Sequence, residues 1–112
     1  MELKQKDAGK AMQREMMSSY YRSLEQGEGP VAYLFIPGNV VEVLRPFGIR
    51  PVYPEINALQ CGIKRVAGEN ILKAEDIGYS SDVCGYVKND IGICLGGGST
   101  PLGRIPKPDL LL

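Results

Sequence analysis

The sequence predicts an α/β fold: an N-terminal amphipathic helix followed by a partial Rossmann-like parallel sheet with helices. Three observations carry that reading. The run VAYLFIP, residues 31–37, is continuously apolar, rich in β-branched and aromatic residues and bounded by prolines, the pattern of a strand covered on both faces. A short helical stretch and a second strand-like run, IRPVYPE, follow within a few residues; strand, helix and strand in such quick succession imply a right-handed crossover in a parallel sheet. The third is the closing DLLL, which reads as the opening of another covered strand.

Each element has its own signal. From Glu2 to Gln26 the apolar residues Leu3, Ala11, Met12, Met16, Met17, Tyr20 and Leu24 adopt a three-and-four spacing from Met12 onward, which predicts an amphipathic helix with its stripe in the core. Gly27 and Gly29-Pro30 stop it. GNVVEVLRPFG opens on the turn-and-cap pair Gly38-Asn39 and runs as a short helix until Pro46 and Gly48. After Glu55 the chain reads as three helical pieces, INALQCGIKRVAG, ENILKAEDIG and SSDVCGYVKNDIGICLG, kept short by glycines at 62, 68, 78 and 85. GGGSTPLGRIPKP, with its glycine run and prolines, predicts no regular structure. Residues 1–29 therefore form a helical arm and 30–112 the first part of an α/β lobe. A domain that ended on three leucines entering a sheet would lack neighbours and covering helices for them, so the chain is expected to be the front, truncated part of a longer polypeptide.

Composition narrows the function. Thirteen basic residues balance thirteen acidic ones in 112, so no net field favours nucleic acid or an anionic membrane surface. The charged start lacks the apolar run of a signal peptide or membrane span, and a cytoplasmic location is the expectation. Fourteen glycines and eight prolines exceed the usual combined share of about 12%, so the connections are many and tight. Three cysteines and no histidine argue against a disulfide framework and against a complete zinc site.

Three places carry chemistry. If Ser80 or Ser81 caps the last helix, Cys84 lies in its first turn, where free N–H groups and the positive end of the macrodipole favour a thiolate able to hold a metal; equally, Cys84 packs on Val87 and Ile91 as a small hydrophobe. Glu55 falls at the carboxyl end of the second strand, where open α/β sheets place ligands and where a carboxylate can exchange protons with a substrate, or it simply offsets the dipole of the helix it opens. Gly38 and Asn39 occupy the equivalent place after the first strand, and two strand ends facing one crevice make a pocket. Cys61 and Cys94 read as filler. LGGGSTPLGR lacks the spacing of a phosphate loop, leaving Arg104 and Lys107 as only weak anion contacts.

PVYPEINALQCG, AEDIGYSSDVCGYVKNDIG and IPKPDLLL, in this order, resemble the 2-hydroxyacyl-CoA dehydratase and benzoyl-CoA reductase family, the reductase type of subunit most of all. The resemblance implies a longer chain of two α/β lobes, a 4Fe-4S cluster held by three cysteines of each subunit with Cys84 as the first, and an acyl-CoA site lined by Gly38, Asn39 and Glu55. It implies a homologous second subunit and an ATP-hydrolysing activator that passes single electrons, so that a CoA thioester is reduced and either loses a hydroxyl as water or is dearomatised. One thiolate does not hold a cubane, so the chain alone is expected to carry no cluster and to be inactive. The competing reading is a non-catalytic α/β interaction module that docks on a partner through its edge at Leu110 to Leu112.

Overall fold

The computed structural model describes residues 2–36, 38 and 40–112. Helix α1 (Glu2–Gln26) leads into strand β1 (Val31–Tyr33), a short helix α2 (Val41–Leu44) continued by a 3-10 turn at Arg45–Phe47, and strand β2 (Arg50–Val52). Helices α3 (Pro54–Ile63), α4 (Ala67–Asp76) and α5 (Gly85–Leu95) follow, then a hairpin of β3 (Ser99–Thr100) and β4 (Gly103–Arg104), and finally β5 (Leu110–Leu111). The α/β class is as the sequence predicts. β1 is the central strand of a three-stranded sheet in the order β2-β1-β5, with both pairings parallel.

The apolar run forms the centre because both its faces are covered. Val31 and Tyr33 face one core with Tyr21 and Leu24 of α1, Val52, Cys61 of α3, Ile93 of α5 and Ile105. Ala32 and Leu34 face a smaller core with Leu44, flanked by Val41, Ile49 and Tyr53. The β1–β2 connection thus lies on one face and α3 and α5 on the other, so the sheet is doubly wound about β1. Pro51, which has no N–H to give, sits on β2 at the sheet's edge. β5 is tied at its start by Asp109, whose N–H donates to the Val31 carbonyl at 2.8 Å while its Oδ2 accepts the Val31 N–H at 2.8 Å.

Four helical segments after β1 end in one repeated way. At Gly48, Gly78 and Gly97, each with positive φ, the glycine N–H bonds three residues back and the next N–H bonds five residues back, the Schellman closure that glycine favours. α3 ends identically but with Arg65, φ 59°, in the glycine's place. The expected helix over 56–68 therefore breaks at 64–66, and its last residues join α4.

Two other expectations are corrected. The α1 stripe is core only in its last turns: Tyr21 and Leu24 are buried, whereas Met12 and Met16 are 62% and 59% exposed, because at about 38 Å the helix outruns the body that covers it. The glycine-rich stretch does form structure. Gly97 closes α5, Gly98 lies where any Cβ would strike the Ile105 carbonyl oxygen, and Thr100 Oγ1 accepts the Leu102 and Gly103 N–H groups to fold the hairpin.

Candidate functional site

Adjacent parallel strands end side by side: Tyr33 pairs with Val52, and the Leu34 N–H still donates to the Val52 carbonyl at 2.9 Å. The segment after β1 carries Gly38, exposed with φ 93°, and the segment after β2 carries Glu55 in the first turn of α3. Both therefore lie beyond the carboxyl ends of neighbouring strands, next to the strand about which the sheet reverses, the usual place for a ligand in such folds. Asn39 lies outside the described residues. The N-cap of the short helix is Val40, held at φ 55° with no side-chain cap among the described residues, a left-handed conformation that a β-branched residue rarely adopts. That strained backbone lies in the loop beyond β1.

The amino end of α3 is fixed from α1. The Tyr53 N–H donates to Tyr20 Oη at 2.9 Å, and Tyr21 Oη–H donates to Asn57 Oδ1 at 2.9 Å, with Asn57 fully buried. Burial pushes Tyr20 up to about 12 and raises Tyr21 as well, so both stay neutral hydroxyls. Asp90 of α5 acts electrostatically on Tyr20 and on Tyr33. Its Oδ1 is buried without a hydrogen-bond partner among the described residues, and burial lifts its carboxyl to about 6.

The last helix starts three to four residues later than expected, at Cys84 rather than after Ser80 or Ser81. Cys84 is itself the N-cap of α5, at φ −47° and ψ 127°, and its carbonyl accepts the Lys88 N–H at 3.1 Å. Neither Ser80 nor Ser81 caps the helix. Ser80 Oγ accepts the Asp82 N–H at 3.2 Å within a separate turn closed by Val83 N–H to the Ser80 carbonyl. The Ser81 carbonyl is taken by Lys88 Nζ at 2.9 Å, which keeps that stretch out of the helix. The Cys84 side chain is exposed, so it does not pack as a small hydrophobe on Val87 and Ile91.

Gly38 and Glu55 thus share one rim of the sheet, while among the described residues no hydrogen bond or ion pair joins Cys84 to either. Cys61 is buried in the core and burial raises its thiol; Cys94 is exposed near the far end of α5. No group of three His, Cys, Asp or Glu that could hold a metal forms among the described residues. Chemically, an exposed thiol at a helix amino end suits one corner of an iron–sulfur cluster, and it is one corner only. The residues that sequence reasoning missed are Lys88, Tyr20 and Tyr21, which hold the two helix starts. A groove of about 920 Å³, lined by residues such as Met12, Met16, Leu59 and Ile63, lies elsewhere. No helix among the described residues is long and apolar enough to cross a membrane.

No family model matches the chain. Curated relatives do. A benzoyl-CoA reductase subunit of Thauera aromatica is 40% identical over 112 residues, covering 96% of this chain and 26% of the relative. The (R)-2-hydroxyisocaproyl-CoA dehydratase alpha subunit of Clostridioides difficile is 32% identical over 100 residues, covering 88% of this chain and 23% of the relative. The (R)-phenyllactyl-CoA dehydratase alpha subunit of Clostridium sporogenes is 35% identical over 72 residues, covering 63% and 17% respectively. The chain spans about a quarter or less of the length of these relatives.

Proposed function

Since this chain belongs to the 2-hydroxyacyl-CoA dehydratase and benzoyl-CoA reductase family, we propose that it forms the first part of an iron–sulfur subunit that delivers low-potential electrons to an acyl-CoA thioester. The observation that carries the proposal is Cys84: an exposed thiol at the amino end of α5, at the position that resembles the family's first cluster cysteine. When bound, a 4Fe-4S cluster supplies one-electron reduction, and thiolate ligation with low solvent exposure permits a strongly negative potential. Cys84 supplies one ligand. The first N–H groups of α5 have no intrahelical acceptor, and an amino end of this kind is a favourable neighbour for a negatively charged ligand. The remaining ligands come from residues beyond this chain.

On the sheet rim, the loop after β1 with Gly38 and the start of α3 with Glu55 line the acyl-CoA site in this proposal. Gly38 presents no side chain to crowd a ligand, and among the described residues nothing lies within 4 Å of where its Cβ would be. Glu55 accepts a hydrogen bond or exchanges a proton with the acyl group. Residues 30–112 act as the first part of an α/β lobe, in the cytoplasm, alongside a homologous subunit and an ATP-hydrolysing activator.

The test is iron and sulfide content of the intact subunit purified without oxygen. Cys84→Ser is expected to lose both, with the electronic absorption of the cluster. A variant that retains iron, sulfide and spectrum unchanged would show that Cys84 is not a ligand.

A further inference from the structure

We infer that Lys88 is a positioning residue for Cys84: its buried ammonium clamps the turn that precedes the cysteine onto α4 and so fixes the direction in which the thiol leaves the fold. The inference rests on the reading of Cys84 as a ligand given above. Lys88 follows Cys84 by four residues, so its own N–H makes the first bond of α5 to the Cys84 carbonyl. Helical side chains lean toward the amino end, and this one runs that way to its full length. Its Nζ donates to the Ser81 carbonyl at 2.9 Å and to Glu75 Oε1 of α4 at 2.6 Å. One side chain thus grips the turn on one side and the neighbouring helix on the other. Among the described residues, no other side-chain hydrogen bond joins residues 80–83 to α4.

The arrangement is unfavourable on general grounds, and that makes it informative. The amino end of a helix repels a cation, and the ammonium is almost wholly withdrawn from water, its side chain 5% exposed. The Glu75 carboxylate offsets both costs, yet an apolar residue of the same length would fill the space without incurring them. A buried pair in such a place specifies an arrangement more than it adds stability. Here the arrangement is the break in the helix at Cys84. The anchor is rigid, because Gly92 of α5 lies so close against the Asn70 backbone of α4 that a Cβ would overlap it. A ligand held on a braced turn loses little freedom when it meets a metal.

A nitroxide label on Cys84, in a Cys94→Ser background, reports the clamp without any metal, as does amide exchange at residues 81–84. Lys88→Met keeps the apolar stem and removes both donors; Lys88→Arg keeps donors for both acceptors. In Lys88→Met the label is expected to become mobile and exchange at 81–84 to quicken about tenfold, as for a segment released to open locally. Lys88→Arg is expected to restore most of the difference. An unchanged lineshape and unchanged exchange in Lys88→Met would overturn the clamp. Should that variant not fold, Glu75→Gln, at a side chain 31% exposed, is expected to loosen the same turn in the same two readouts, and no change there would overturn it equally. The two readings fail separately: iron retained in Cys84→Ser removes the ligand assignment, whereas iron lost there with an immobile label in Lys88→Met removes only the clamp.

Discussion

The starts of α3 and α5 solve the same problem differently. α3 follows β2 after a single residue, so the sheet already fixes where it begins, and two neutral tyrosine hydroxyls from α1 complete the hold on Tyr53 and Asn57. α5 follows a loop and has no strand before it. Its start is held by an ion pair made from its own Lys88 and from α4. The difference teaches that a helix leaving a strand inherits its position, while one leaving a turn needs a dedicated tie. Only the second kind of start isolates a side chain, as at Cys84, on an exposed and individually braced residue.

Three changes break or sharpen this contrast. The largest effect is expected from Gly92→Ala, which pushes α5 off the Asn70 backbone and costs about 3 kcal/mol as overpacking; denaturant unfolding measures it, and a loss below about 1 kcal/mol would mean that the two helices are not in fixed contact. Next is Tyr21→Phe, which leaves Asn57 Oδ1 buried without its donor and costs about 1–2 kcal/mol. It loosens only the α3 start, so amide exchange is expected to rise around Asn57 and to stay unchanged at residues 81–84.

The smallest effect lies at Asp90 of α5, which acts electrostatically on Tyr20 of the α3 support. Its folded carboxyl, lifted to about 6 by burial, keeps a proton that an unfolded aspartate releases near pH 4. The folded state therefore binds more protons in that window, and stability falls as pH rises from about 4 to about 6. Groups facing Asp90 are Tyr20, Tyr33 and Cys94, none of which changes charge there. Asp90→Asn is expected to flatten this slope and to add about 1 kcal/mol at pH 7 after allowance for partial solvent screening. Thermal melts across pH 4 to 7 measure it, and an unaltered slope would assign the titration elsewhere.

Much of the architecture was legible because its signals are local. A continuous apolar run between prolines has few alternatives to a central strand, and β1 is one. Glycines at 48, 78 and 97 mark chain reversals that glycine alone adopts cheaply, whereas Arg65 performs the same reversal with no sign in its identity. The placement of Glu55 after a strand was readable from order alone. The hold on Cys84 was not, because a lysine within a helical pattern reads as a solvated face, and its burial depends on Glu75 arriving from α4. Met12 and Met16 misled for the converse reason: spacing reveals a stripe but not how far the body extends beneath it. Asn39 lies outside the described residues.

That overhang has a mechanical meaning. The part of α1 ahead of Met17 is about as short as a peptide that is marginally helical in water, and its Met12 and Met16 side chains stay mostly exposed. It stays wound because it continues turns already docked at Tyr21 and Leu24, where the cost of starting a helix has been met. Coil-to-helix cooperativity thus carries anchorage outward along the rod, and undoing the dock would unravel turns that lie well ahead of it.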